Sequence, residues 1–232
     1  MAGLFRLAMA TGVEPLDELV RTHDPDRWLS SRFIGDPAAR ADVIALYGFD
    51  HELSRAPKVT TNALIGEIRL TWWREVLDEV FEGRPVRRHP TAQALAAAIS
   101  RHRLARDRLE AMIDARYREL DPAPLSEADA VAWAAGTAGQ VAELAVGILD
   151  PGANTDAAGV AGAAWALGRR AAADPALKPA FERTLQEARS ALRGLSAVAF
   201  PAVAHLALVA RPLKSEFARR LRLTAAVAQG RV

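Results

Sequence analysis

Apolar residues recur along this chain at intervals of three and four, the spacing that lines one face of a helix. No stretch of six residues alternates polar and apolar positions, and valine and isoleucine are scattered, so no strand is expected. Alanine, the best helix former, is abundant throughout. The expected fold class is all-α: a single-domain antiparallel helical bundle of about nine to ten helices around a central cavity.

Punctuation residues divide the pattern. A first helix is expected over 14–30. Asp36 as N-cap and Pro37 at the first helical position open a second, which ends at Pro57. Thr60 or Thr61 caps a third, which runs to about Glu82 and is closed by Gly83. Pro90 and Thr91 open a fourth, to about Arg101, and a fifth spans 105–120. Ser126 caps a long sixth that stops before Asp150-Pro151-Gly152. A seventh covers about 155–173, an eighth 179–195 and a ninth 198–209, and Pro212 precedes an amphipathic terminal helix. The breaks are short, as suits antiparallel neighbours, and none reads as a domain linker. One domain is expected over 14–232, with residues 1–13 a flexible arm or an expression remnant.

Composition narrows the function classes. Of 232 residues, half are apolar and a quarter charged, too apolar for a disordered chain. Cysteine is absent, which removes disulfides, thiolate nucleophiles and cysteine-based zinc sites together and fits a reducing, cytoplasmic setting. The net charge is only +2, and no basic stripe carries interleaved aromatics, so no nucleic-acid partner is expected. No apolar run of about 18 residues is free of charge, so no spanning segment is expected.

Few residues invite chemistry. On the second helix Tyr47, His51, Ser54 and Lys58 form one stripe. That stripe, with Arg55 beside it, is neutral to basic and does not suit a hard cation. His51 reads as a hydrogen-bonded helix-face residue rather than a ligand or base. Asp50 and Glu52 point apart. On the third helix Ile65, Ile68, Trp72 and Val76 share a face, expected to be core, and Arg69 or Trp73 is the candidate to line a pocket. Gly159, Gly162 and Gly168 lie inside a helical pattern and read as close helix packing, not as a nucleotide loop. The five histidines are dispersed without an i, i+4 pair. The arginine pairs 87–88, 169–170 and 219–220 read as solvated faces. Residues 218–227, with Arg219, Arg220 and Arg222, read either as a basic end touching anionic lipid or as a terminal helix docked on the bundle.

Taken in order, several segments resemble the squalene/phytoene synthase family: Asp26-Arg27-Trp28-Leu29, Ala45-Leu46-Tyr47-Gly48-Phe49, the run from Gly66 to Arg74 with its paired tryptophans, His89-Pro90, and Gly136-Thr137-Ala138-Gly139. The resemblance covers about 24–212 and implies an isoprenoid synthase fold. Enzymes of the family condense two prenyl diphosphates, using magnesium held by aspartate-rich motifs on two facing helices. On that pattern Tyr47 retains the tyrosine before the first motif and His51 replaces an arginine that contacts diphosphate. Ser54, Arg55 and Lys58 stand where the first motif's aspartates belong. Ala135 replaces a substrate-facing tyrosine, and Arg169 and Ala173 stand at the second motif.

The chain is also similar to a degenerate subgroup, the mitochondrial complex I assembly factor of this fold and its bacterial relatives, through Phe49-Asp50-His51-Glu52 and Gly66 to Trp73. The resemblance thus implies a pseudoenzyme that binds an isoprenoid-like lipid or a protein partner, peripheral at the inner membrane in one reading. The alternative is an active prenyltransferase with unusual ligation, and only that alternative calls for magnesium. It would need carboxylates such as Glu67, Asp78 or Glu143 to converge. The pseudoenzyme reading predicts no carboxylate pair from different helices within about 6 Å across the cavity.

Overall fold

The computed structural model describes residues 14–57, 63–210, 213 and 215–232 and, within these, all side chains but those of Glu14 and Pro15. The arm expected at 1–13, the caps expected at Thr60 and Thr61, and the candidate Lys58 lie outside them. The helices are α1 (Glu14–His23), α2 (Pro25–Ser31), α3 (Pro37–Arg55), α4 (Ala63–Phe81), α5 (Pro90–His102), α6 (Arg106–Tyr117), α7 (Glu127–Ala134), α8 (Gln140–Leu149), α9 (Asp156–Ala171), α10 (Lys178–Ala191), α11 (Leu206–Ala210) and α12 (Glu216–Gln229). No strand occurs among the described residues, as the periodicity requires. The buried apolar side chains form one cluster drawn from the whole length of the described chain.

Three expectations need correction. The first helix is two, because Asp24 caps a new start and Pro25 supplies no amide donor to continue the old one. This break turns Asp24 and Arg27 into the protein, where both are buried. The ninth helix is mostly irregular: a 3₁₀ turn at Phe200–Ala202 precedes the short α11. Pro201 again removes a donor, and its carbonyl accepts from the Ser30 hydroxyl at 2.6 Å.

The third correction is rotational. The buried line of α4 is Gly66, Leu70, Trp73, Val76 and Leu77. Ile65 and Ile68 are instead 42% and 59% exposed. Gly66 sets the rotation, since a Cβ there would lie 2.4 Å from Leu120 Cδ2 and 3.3 Å from the Ala56 carbonyl oxygen. Without a side chain, α4 seats that edge inward and Trp73 packs edge-on against Phe49, their ring centres 5.2 Å apart.

Helices α7 and α8 are one continuous rod interrupted by a π turn at Ala135–Gly139. The rod, Glu127–Leu149, is long and apolar enough to cross a membrane by length and composition, but more than half of it is buried in the protein, as in a core helix. The π turn lies on α9 at the glycines expected to pack closely. A Cβ on Gly162 would stand 2.2 Å from the Ala138 carbonyl oxygen, and one on Gly139 would stand 3.1 Å from that of Gly159. Backbone meets backbone here, and Thr137 and Ala138 of the turn line the pocket described below.

Gly162→Ala should therefore lower unfolding free energy by about 1–3 kcal/mol despite its better helix propensity. Gly147→Ala, where a Cβ meets nothing within 4 Å, should raise it by up to about 1 kcal/mol. Urea unfolding of both variants checks the pair: equal effects would remove the close-approach argument.

Candidate functional site

The site begins at the break between α1 and α2. Arg27, in the first turn of α2, is buried and donates through Nη1 to Asp50 Oδ2 at 2.6 Å and Asp24 Oδ2 at 3.4 Å. From α6, Arg116 donates through Nη2 to the other oxygen of Asp50 at 2.6 Å and through Nη1 to Glu119 Oε1 at 2.5 Å. Trp133 of α7 donates its indole N–H to the same Glu119 oxygen at 2.7 Å. A continuous hydrogen-bonded chain, charged except at the Trp133 indole, thus joins α2, α3, α6 and α7 beneath one cavity.

The electrostatics follow the geometry. Burial alone would raise the Asp50 carboxyl, but the Arg116 and Arg27 guanidiniums outweigh it and hold the group at about 2. Asp24 goes the other way: burial pushes it above the ordinary range, because its pairs with Arg27 and Arg169 are long, 3.4 and 3.6 Å. Burial also holds His205 well below its usual value, with Arg27 and Arg169 adding to the effect.

The cavity has a volume of about 450 Å³. Asp24, Asp50 and Arg116 face it from below, and Trp133, Thr137 and Trp165 form its walls. Its rim carries His51, Ser54, Arg55, Arg169 and Arg170. Arg27 and Arg169 both lie over the Trp165 ring, at 4.1 and 4.8 Å from its centre. Arg170 lies over Trp133 at 5.1 Å and, among the described residues, meets no carboxylate. Aromatic faces thus hold the guanidiniums extended. The pair Arg169–Arg170, expected to be a solvated face, is a cavity rim.

The other candidates divide. The structure brings His51, Ser54, Arg55 and Arg169 together at this cavity. His51 is half-buried and stacks on His23, ring centres 4.5 Å apart, and burial together with that neighbour lowers its pKa. Tyr47 does not line the cavity. It is buried behind it, with Arg27 over its ring at 5.3 Å. Arg69 and Trp73 line a different groove with Glu52 and His89, because Glu52 points away from Asp50 around α3. Ala135 is exposed, because the π turn rotates Thr137 and Ala138 toward the cavity in its place.

Of the carboxylates that an unusual metal site would recruit, Glu67 is exposed on α4, Asp78 pairs with Arg106 and Glu143 pairs with Arg108. None of the three lines the cavity. The expectation about carboxylate spacing fails, however. Asp24 and Asp50 share one guanidinium nitrogen, at 3.4 and 2.6 Å, so their oxygens lie within about 6 Å of each other. An arginine occupies the space between them. No group of three or more His, Asp or Glu is placed to hold a metal ion among the described residues.

Sequence reasoning missed Asp24, Arg27, Arg116, Glu119 and both wall tryptophans. One signal was available: Asp24-Pro25 repeats the cap-and-proline pairing of Asp36-Pro37.

A helical cup of this kind, with its polar floor between facing helices, is the isoprenoid synthase fold. The sequence model of the squalene/phytoene synthase family matches residues 20–171, and the chain belongs to that family. Among solved structures it superimposes on a dehydrosqualene synthase in complex with ligand with a TM-score of 0.71 and 14% identity, covering 94% of this chain and 95% of that one. It superimposes likewise on the squalene synthase HpnC from Alicyclobacillus acidocaldarius, with a TM-score of 0.68, 15% identity and 94% of each chain covered. By sequence it resembles the NADH dehydrogenase (ubiquinone) complex I assembly factor 6 of Bos taurus, 31% identical over 105 residues, and that of Homo sapiens, 30% identical over 105 residues. Each of these matches takes in 45% of this chain and 31% of the relative, so the similarity spans about a third of the assembly factors' length.

Asp50→Asn would leave two buried guanidiniums facing a neutral amide and should cost about 3–5 kcal/mol. Because the folded pKa is depressed, the stabilisation from Asp50 is present above its unfolded value of 3.8 and is lost as pH falls toward about 2. Urea unfolding at a series of pH values should show a steeper acid loss in the wild type than in the variant. Parallel profiles would show that Asp50 does not carry this linkage.

Proposed function

We propose that this protein is a non-catalytic member of its family that uses the cup to bind one anionic, isoprenoid-like lipid directly through arginine, as part of an assembly role. The observation that carries the reading is the rim: Arg55, Arg169 and Arg170 stand around the cavity, and their nearest carboxylate contacts are long or absent. Arg55 meets Glu52 at 3.4 Å and Arg169 meets Asp24 at 3.6 Å. Guanidinium groups bond phosphate oxygens without a metal.

The donor set does not suit magnesium. That ion asks for near-octahedral oxygen ligation with carboxylates free to face it. Asp50 has both oxygens committed to buried arginines, and Asp24 is engaged by Arg27 and Arg169. Ser54 and Arg169, at positions where the family resemblance expects metal ligands, offer a hydroxyl and a cation. Ionising an allylic diphosphate develops negative charge on the leaving group, and metal-borne charge is the family's means of stabilising it. Cavity size supports the same reading. A volume near 450 Å³ lies toward the lower end of the roughly 300–1,000 Å³ that accepts a single drug-sized ligand. Head-to-head condensation requires room for two prenyl chains. The similarity to complex I assembly factors favours service to a protein partner.

Incubation with labelled farnesyl or geranylgeranyl diphosphate and magnesium should give no C30 or C40 product. Formation of either would overturn the reading in favour of an active prenyltransferase. Farnesyl diphosphate should still bind in the presence of EDTA. Replacing Arg169 and Arg170 together by alanine should weaken that binding by about a hundredfold, roughly tenfold for each charge-assisted contact. Isothermal titration with chelator present measures both.

A further inference from the structure

From residue 200 to 232 the chain carries one acidic side chain, Glu216, against six arginines and lysines. Helix α12 lies in this basic stretch. Ser215 caps it by accepting from the Ala218 N–H at 3.0 Å, and Gly230 closes it in the left-handed region at φ +61°. Its rotation about its own axis is fixed. Leu223 and Ala226 are buried, and Arg219 is tied to Asp26 of α2. The helix therefore presents a defined face outward.

That face is apolar. At about 100° per residue, Phe217, Leu221, Thr224 and Ala228 lie on the side away from Leu223 and Ala226. Phe217 is 77% exposed and Leu221 61%. Arg220 flanks this stripe on one side and Arg222 on the other. Soluble helices ordinarily turn such a stripe inward. Here the inward side is already filled, and a second apolar line, bordered by cations on both edges, is left facing solvent.

We propose that the outer face of α12 is a contact for an anionic lipid surface, with Phe217 and Leu221 entering the headgroup boundary. Arg220 and Arg222 have aliphatic stems long enough to lie along the apolar zone while their guanidiniums reach lipid phosphates. Arg220 also exchanges a weak partner for a better one, since its ion pair with Glu216 joins two exposed side chains. Charge complementarity selects anionic lipid over a neutral surface. This inference does not rest on the reading of the cavity, which lies among other residues.

Sedimentation of the full chain with large vesicles tests it. Binding is expected to vesicles of phosphatidylglycerol mixed with phosphatidylcholine, and to fall about tenfold or more on pure phosphatidylcholine or at high salt. Phe217→Ser with Leu221→Ser, and separately Arg220→Gln with Arg222→Gln, should each weaken binding by about tenfold. Because these side chains face solvent, thermal unfolding of both double variants should match the wild type, which separates lost contact from lost fold. No sedimentation of the wild type with anionic vesicles would overturn the proposal, as would wild-type binding by the Phe217/Leu221 variant. Retention of an RNA oligomer that depends on the arginines but not on Phe217 and Leu221 would assign a polyanion instead and would equally overturn it.

Discussion

The arrangement of the cup depends on one carboxylate. Asp50 accepts from Arg27 with one oxygen and from Arg116 with the other, and both arginines are buried. Three helices meet at that point, and none of them would bury its charge without the other two. Buried ion pairs contribute little net stability compared with well-packed apolar side chains, because desolvation offsets most of the Coulomb gain. What such a cluster supplies is selectivity among arrangements. Any packing that separates α2, α3 and α6 strands a guanidinium in a low-dielectric interior, a cost of several kcal/mol. The break at Asp24-Pro25 belongs to the same device. Without it Arg27 would continue along a surface helix instead of entering the core.

The site is a consequence of this anchoring. Arg27 and Arg116 hold the floor, and the tryptophans beside them, Trp165 and Trp133, each carry a second guanidinium further out, from Arg169 and Arg170. Charge is thereby carried from the buried floor to the rim on aromatic surfaces, which disperse it without removing it. A cavity organised in this way has its own fixed positive charge. Its carboxylates, Asp24, Asp50 and Glu119, are engaged by arginines, unlike those of a cup that attracts an anionic ligand only after recruiting divalent ions.

How much of this was readable in sequence differs by level. Helical class and most boundaries followed from spacing and from proline and glycine signals, because those act locally. The rotation of α4 did not follow: the choice between the Ile65–Ile68 and Gly66–Leu70–Trp73 faces depends on Leu120, which is distant in sequence. On α3 the stripe reading reached His51 and Ser54 but placed Tyr47 with them, although Tyr47 sits deeper, behind Arg27. Local spacing shows only that Asp50 and Glu52 point apart and leaves the partners of Asp50 unseen, because they are arginines 23 and 66 residues away. Long-range charge pairing leaves no periodic trace. The π turn was hidden as well, because one extra residue in a helix repeat shifts the face by a fraction of a turn. That shift is what exposes Ala135 and brings Thr137 and Ala138 to the wall.

The small residues of α9 complete the argument. Gly162 admits the backbone of the π turn at Ala138, Gly159 leaves room for the Glu143 side chain of α8, and Ala158, Ala161 and Ala164 are buried around them. Large side chains at these positions would hold the two rods apart and widen the space between them. Close approach instead keeps the cavity small and sets Trp133 of one rod against Arg170 of the other. Cavity width and the placement of one rim guanidinium are therefore linked, since the contact that narrows the cup also brings α9, with Arg170, up to the indole of α7. A substitution that loosened this seam should widen the cavity and draw Arg170 away from the indole together, whereas replacing the arginine itself changes the rim charge alone.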